Sequence, residues 1–147
     1  MYSYRLTDVR WDREECESRT QLAAVYREFA QRGWTKMIFN HITARAVQGS
    51  DEFLINPYGL LYEEVCVSNL VKINLQGDAL DPADGSVNRA GFIIHSAVHR
   101  SRPEVRCVIH HHSPACTAVA SLPEGLVPVT LEAAQFFGRT AYYDFTG

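Results

Sequence analysis

Apolar residues near the start of the chain recur at helical spacing: Cys16, Leu22, Ala23, Tyr26, Phe29 and Ala30. That period predicts an amphipathic helix over 13–31, and Gly33 is placed to stop it. Short apolar runs then predict strands over 36–39, 42–47 and 53–55, with Gly49-Ser50-Asp51 turning between the last two. Residues 71–75 alternate apolar with polar, and Gln76-Gly77-Asp78 turns the chain back towards Leu80. Residues 81–86 are rich in turn formers and read as a surface loop. A second helix is expected over 91–100, its apolar face carrying Ile94, Ala97 and Val98 and its end marked by Arg102-Pro103. The apolar run 105–109 reads as a buried strand, and Ser113-Pro114 as an N-cap followed by proline at the first helical position. A loop at Pro123-Glu124-Gly125 and a last strand over 140–145 complete the pattern, with no internal repeat, linker or low-complexity segment.

Three histidines leave the end of the 105–109 strand: His110, His111 and His112. Side chains alternate faces along a strand, so His110 and His112 should share a face while His111 points the other way. Two imidazoles so spaced can share one divalent metal, each nitrogen about 2 Å from it. The alternative is a polar strand end that is merely histidine-rich. His95 and His99 form an i, i+4 pair on the second helix, a spacing that can also bind metal but more often borders a core.

Composition narrows the class. The 147 residues suit one domain, and 46% hydrophobic with 21% charged residues describes an ordinary globular chain. A formal net charge of -3 without a basic run argues against nucleic acid as a partner. No apolar stretch approaches the ~20 residues of a membrane span, and no signal-peptide pattern opens the chain, so a cytoplasmic location is expected. Cys16, Cys66, Cys107 and Cys116 show no CxxC spacing and read as buried, reduced thiols.

Taken together, the motifs resemble the class II aldolase/adducin family. The resemblance runs through Leu22-Ala23-Ala24-Val25-Tyr26, Gly33-Trp34, Asn40-His41-Ile42-Thr43-Ala44-Arg45 and the stretch from Phe53 through Asn56-Pro57-Tyr58-Gly59 to Leu61. It continues in Ser68-Asn69-Leu70-Val71-Lys72, Gly91-Phe92-Ile93-Ile94-His95-Ser96-Ala97, the histidine block and Gly138-Arg139-Thr140-Ala141-Tyr142-Tyr143. The resemblance implies an α/β fold: three α/β/α layers around a central, mostly antiparallel sheet, in fourfold homo-tetramers. The family's sugar-phosphate aldolases hold zinc with three histidines, two of them matching His110 and His112. Its phosphate-cradling loops match Asn40 to Thr43, Tyr58-Gly59 and Asn88-Arg89-Ala90, which makes Asn40, Thr43, Tyr58, Gly59, Asn88 and Arg89 the candidate substrate contacts. Arg89 could clamp a carboxylate or phosphate with two parallel hydrogen bonds, or be a solvated surface arginine.

Two departures from the family stand out. Gly91 falls where the aldolases carry the glutamate that shuttles a proton at the substrate carbon, and glycine has no group to titrate. Glu132 is a candidate substitute, set against its plainer reading as an exposed residue at a helix start. The second departure is length, since the family's third metal histidine comes from a downstream strand. Residues 1–147 therefore read as a single class II aldolase-like domain, truncated, its sheet incomplete at the C-terminal end and exposing an edge unless another chain covers it. Phe136, Phe137, Tyr142, Tyr143 and Phe145 would lose most cover.

Two functional classes follow. One is a metal-dependent lyase-like enzyme of the aldolase, decarboxylase or epimerase type, acting through an enolate on a small hydroxy-carbonyl or sugar-phosphate-like substrate. Its metal would be zinc, with iron or manganese as alternatives, and a non-haem iron oxygenase could use the same histidine cage. The other is an adducin-like binding or scaffold domain without catalysis. His110-x-His112 favours the enzyme; Gly91 and the missing third ligand favour the scaffold.

Overall fold

A computed structural model describes residues 10–80 and 85–143. The contacts divide the chain into two compact units, Met1–His111 and His112–Gly147. Most of the loop read over 81–86, and the end of the strand read over 140–145, lie outside the described residues.

In the first unit, helix α1 spans Arg13–Gln31, as its periodicity predicts. Asp12 caps it by accepting the Glu15 N–H at 2.8 Å, and Glu14 and Glu15 lie favourably in its first turn. Gly33, at φ 66°, ends it: the Gly33 N–H reaches the Ala30 carbonyl and the Trp34 N–H reaches that of Phe29, each at 3.0 Å. Strand β1 is His41–Arg45, β2 Phe53–Ile55 and β3 Val71–Ile73. Helix α2 spans Arg89–Ser101 and strand β4 Cys107–His110. The sheet order is β3-β2-β1-β4, and its pairings are antiparallel.

Two cores lie on opposite faces of this sheet, which makes three layers. Leu22, Ala23 and Tyr26 of α1 pack on Ile42 and Leu54. Phe92 of α2 packs on Phe53, Ile55, Val71 and Ile73. The register explains the split, since Ile42 and Leu54 alternate with Thr43 and Phe53 along their strands.

The structure corrects several sequence expectations. Residues 36–39 form a turn rather than a strand: the Phe39 N–H bonds to the Lys36 carbonyl at 3.1 Å, and Met37 adopts φ 47°. The buried face of α2 carries Phe92, His95, Ser96 and His99, while Ile94 and Ala97 are exposed. Strand β4 is largely exposed, because among the described residues it is the edge of this sheet and pairs with β1 alone. Cys107 and Cys116 are exposed, and Cys16 and Cys66 only half-buried, though all are free thiols as expected.

The second unit contains helix α3, Pro114–Ala120, and a short helix α4, Leu131–Ala134. Ser113 caps α3 by accepting the Cys116 N–H at 3.3 Å, with Pro114 in its first turn, as the sequence indicates. Thr130 caps α4 in the same way, accepting from Ala133 at 3.2 Å. Residues 140–143 form no strand, so that expectation fails over its described part.

Candidate functional site

Alternation along β1 sends Ile42 and Ala44 towards α1, which leaves His41, Thr43 and Arg45 on the α2 side, all buried. Opposite them the i, i+4 spacing of α2 stacks His95 and His99 on one stripe, also buried. Polar groups in such a layer must find one another, because an unpaired buried polar atom is costly.

Most do so in sequence across the layer, while His99 Nδ1 is buried with no hydrogen-bond partner among the described residues. The Thr43 hydroxyl lies 2.8 Å from His95 Nδ1 and 2.9 Å from His99 Nε2. The rings of His41 and His95 lie 4.4 Å apart at 42°. His41 Nε2 donates to the Gly91 carbonyl at 3.0 Å. His110, the register partner of His41, brings its Nδ1 to 3.3 Å from His41 Nδ1. Arg45 closes the far end, with Nη2 donating to the His99 carbonyl at 3.0 Å and Nε to the Val105 carbonyl at 3.2 Å.

Burial holds the inner imidazoles neutral. His95 is pulled down to about 3, first by desolvation and then by repulsion from His41, His99 and His110. His99 is pulled down to about 4, again first by desolvation and then by the Arg45 charge, with a backbone contact to Val105 opposing the shift. The pair therefore borders a core, as its spacing suggested.

His110 and His111 part company at the end of β4. His110 faces His41, whereas the His111 ring packs against Phe29 at 5.4 Å and Trp34 at 6.1 Å, on the α1 side. His112 begins the second unit. Among the described residues no three His, Cys, Asp or Glu side chains gather around one point.

The remaining sequence candidates are distributed as follows. Asn40 is buried and closes the preceding turn, its Oδ1 accepting the Lys36 N–H at 3.1 Å. Thr43 is fully buried between the two histidines of α2. Asn88 caps α2, accepting the Gly91 N–H at 3.3 Å. Arg89, the first residue of α2, is exposed, with Nη2 3.8 Å from Asp78. Tyr58 is exposed, and Gly59 takes φ 93° with open space where a Cβ would stand. Glu132 is exposed in the first turn of α4, which is its plainer reading.

The sequence places His41 within the Asn40–Thr43 stretch but gives it no role of its own. Its only local signal was a histidine alternating with Thr43 and Arg45, a polar stripe on what otherwise looks like an interior strand. A Cβ at Gly91 would stand 2.6 Å from His41 Cε1 and 2.9 Å from each ring nitrogen. The space at position 91 is thus filled by an imidazole from β1.

The comparisons agree with this architecture. The family model for the Class II Aldolase and Adducin N-terminal domain matches residues 20–147. The chain belongs to that family and has its class II aldolase-like α/β fold. Alpha-adducin of Rattus norvegicus is 45% identical over 141 residues, which is 95% of this chain and 19% of that protein. A putative aldolase class 2 protein of Caulobacter vibrioides is 44% identical over 133 residues, 90% of this chain and 52% of the relative. Among solved structures, an aldolase II superfamily protein from Pseudomonas syringae superposes with a TM-score of 0.89 at 40% identity, covering 94% of this chain and 55% of its own. An L-fuculose 1-phosphate aldolase from Glaciozyma antarctica follows at 0.78 and 34%, covering 85% and 51%. The chain spans about half the length of the bacterial relative and about a fifth of the adducin. No helix among the described residues is long and apolar enough to cross a membrane.

Proposed function

We propose that the chain is a metal-dependent lyase-like domain of the aldolase, decarboxylase or epimerase type, acting on a small hydroxy-carbonyl or sugar-phosphate-like substrate. His110 and His112 would hold a divalent ion, zinc first and iron or manganese as alternatives. The observation that carries this reading is His110 itself. It stands at the end of β4 with its Nδ1 against His41, as metal-bound histidines have their second nitrogen engaged. Imidazole donors suit zinc, and a further ligand would have to complete the site.

When bound, such an ion supplies Lewis acidity towards a carbonyl oxygen. The chain's own residues bind and orient. Arg89, exposed at the start of α2, offers a forked donor to a carboxylate or phosphate. Tyr58 and Gly59 border open space where a ligand could approach the backbone. Asn40, Thr43 and Asn88 act from behind, fixing the turn, the histidine layer and the start of α2. No side chain at 91 can move a proton, and Glu132 remains the carboxylate candidate for that task. Retro-aldol cleavage of the usual family type is therefore expected to be slow. The domain is proposed to work in the cytoplasm as a homo-oligomer, a tetramer by family resemblance.

A second reading is an adducin-like binding domain without catalysis. It is favoured by the imidazole that fills the place of the proton-shuttling side chain, and by the 45% identity to alpha-adducin. Metal content separates the two. The enzyme reading expects near-stoichiometric zinc, iron or manganese in the purified protein, or uptake of zinc on reconstitution. A folded chain that neither carries nor takes up such an ion would favour the scaffold.

A further inference from the structure

Strand β4 presents an edge that is complementary to itself. The Arg45 N–H donates to the Arg106 carbonyl at 2.9 Å, continuing the register in which Ala44 lies opposite Cys107. Backbone polar groups alternate sides along an antiparallel strand. Arg106, Val108 and His110 therefore turn theirs to β1, while Cys107 and Ile109 turn theirs outward. Among the described residues no strand pairs with that outer side. The side chains of Cys107 and Ile109 share the face of their register partners Ala44 and Ile42, which pack towards α1. Ile109 is 44% exposed there. Beside Cys107 lies a pocket of about 230 Å³, lined by Leu22 and Val25 of α1 together with Ala44 and Cys107. An uncovered isoleucine and an apolar pocket thus stand two residues apart on one edge.

We propose that β4 is an interface with a second copy of this chain: the two β4 strands pair edge to edge, antiparallel, about a twofold axis through Val108. In that register Cys107 lies opposite Ile109 of the second copy, and the outward N–H and C=O groups of both residues are satisfied. Each Ile109 lands beside the other copy's Cys107, over its pocket. The exchange is reciprocal, as a twofold contact requires, and joins two four-stranded sheets into one. A foreign strand would have to supply the same spacing by accident, whereas a second copy carries it.

The same register sets Arg106 of the second copy opposite His110. In the proposed enzyme this brings a guanidinium to the histidine end of β4, where it suits an anionic substrate. That consequence rests on the metal reading above; the interface does not.

Cross-linking at the axis tests the proposal in the 147-residue chain without any metal. Cys107 and Cys116 are exposed thiols, so both are changed to alanine in the background protein. Residues opposite one another in a non-hydrogen-bonded antiparallel pair have Cα atoms about 4.5 Å apart, a distance that a disulfide spans. Val108→Cys should therefore form an intermolecular disulfide on mild oxidation, and sedimentation of the background protein should show self-association. Adding Ile109→Lys sets a lysine over each pocket and should abolish the cross-link, with circular dichroism unchanged because the position is exposed. Adding Ile94→Lys, on the exposed face of α2, should leave the cross-link in place. A monomeric background protein would mean that the edge takes a different strand, and would overturn the proposal. So would an assembly in which Val108→Cys does not cross-link, whatever Ile109→Lys does to folding. A cross-link that persists in folded Ile109→Lys, or that is lost in Ile94→Lys, would overturn it as well.

Discussion

The hydroxyl of Tyr26 ties α1 to the sheet through Asn56: it accepts the Asn56 N–H at 3.1 Å and lies 2.9 Å from that residue's Oδ1. The same oxygen accepts the Ile42 N–H at 3.0 Å and reaches the Ile42 carbonyl. One phenol therefore serves backbone groups of β1 and of the segment leaving β2, where the two strands stop pairing. Tyr26→Phe keeps the ring and strands those groups in a fully buried site. It should cost about 1–3 kcal/mol in denaturant unfolding. A loss below a few tenths of a kcal/mol would show that the groups find other partners.

Acid should destabilise the protein through the α2 histidines. An unfolded histidine takes its proton near 6.5, whereas folded His95 does so only near 3 and His99 near 4. Between those values the unfolded chain binds more protons, so stability rises with pH in that window and is lost as pH falls from about 6.5 towards 4. Each histidine contributes a slope of up to about 1.4 kcal/mol per pH unit, and neither contributes above the window. Unfolding midpoints at pH 4.5 and 7.5 check this, with His95→Gln and His99→Gln expected to flatten the dependence. An equal slope in both variants would contradict the assignment.

Helix α1 carries a buried charge pair whose removal should be costly. Glu15 and Arg19 are joined at 2.8 Å, and Lys72 of β3 adds a 3.0 Å contact to the other Glu15 oxygen. Glu15→Ala would leave the Arg19 guanidinium buried with, among the described residues, the Leu70 and Val67 carbonyls as its acceptors. The expected loss is about 3–5 kcal/mol by thermal or denaturant unfolding. A near-neutral Glu15→Ala would mean that Arg19 escapes to solvent.

Restoring a glutamate at 91 should fail on steric grounds. Its Cβ would meet the His41 ring, and forcing the two apart should cost about 1–3 kcal/mol. Adding His41→Ala should relieve the clash, so the double variant should be more stable than the sum of the single losses implies, by about 1–2 kcal/mol. Simple additivity would contradict the fit between the two positions. Wild-type turnover of hydroxyketone phosphates should be low, and strong turnover would mean that another group, such as Glu132, moves the proton.

Much of this was legible in the sequence where the signals were local. Helix α1, strand β2 and the Ser113 cap were readable because each carries its own period or cap. The face of α2 was not. Ile94 and Ala97 look like core residues, yet the helix buries Phe92, His95 and His99, because β1 offers it His41, Thr43 and Arg45. That match of polar with polar exists only once two segments about fifty residues apart are packed. For the same reason His41 was invisible as a partner of Gly91, although the glycine itself was conspicuous. Strand β4 looked interior by composition, but its burial depends on how many strands flank it.

Self-association is expected from the exposed apolar surface. Ile93 and Ile94 on α2 are 67% and 68% exposed, and Phe137 and Tyr143 in the second unit are 79% and 89% exposed. Surface of this kind commonly marks an interface. Sedimentation velocity at micromolar concentration should show oligomers. A stable monomer with no affinity for hydrophobic dyes would contradict it.

The central claim is that His110 and His112, and not His111, hold a divalent ion. Zinc per chain, measured by mass spectrometry after exhaustive dialysis, tests it in wild type and in His110→Ala, His111→Ala and His112→Ala. His111 packs against Phe29 and Trp34 on the α1 side of the sheet, so its variant should keep the wild-type metal while losing some stability. The His110 and His112 variants should lose the metal and stay folded. Equal zinc in all four proteins, or loss only in His111→Ala, would contradict the account.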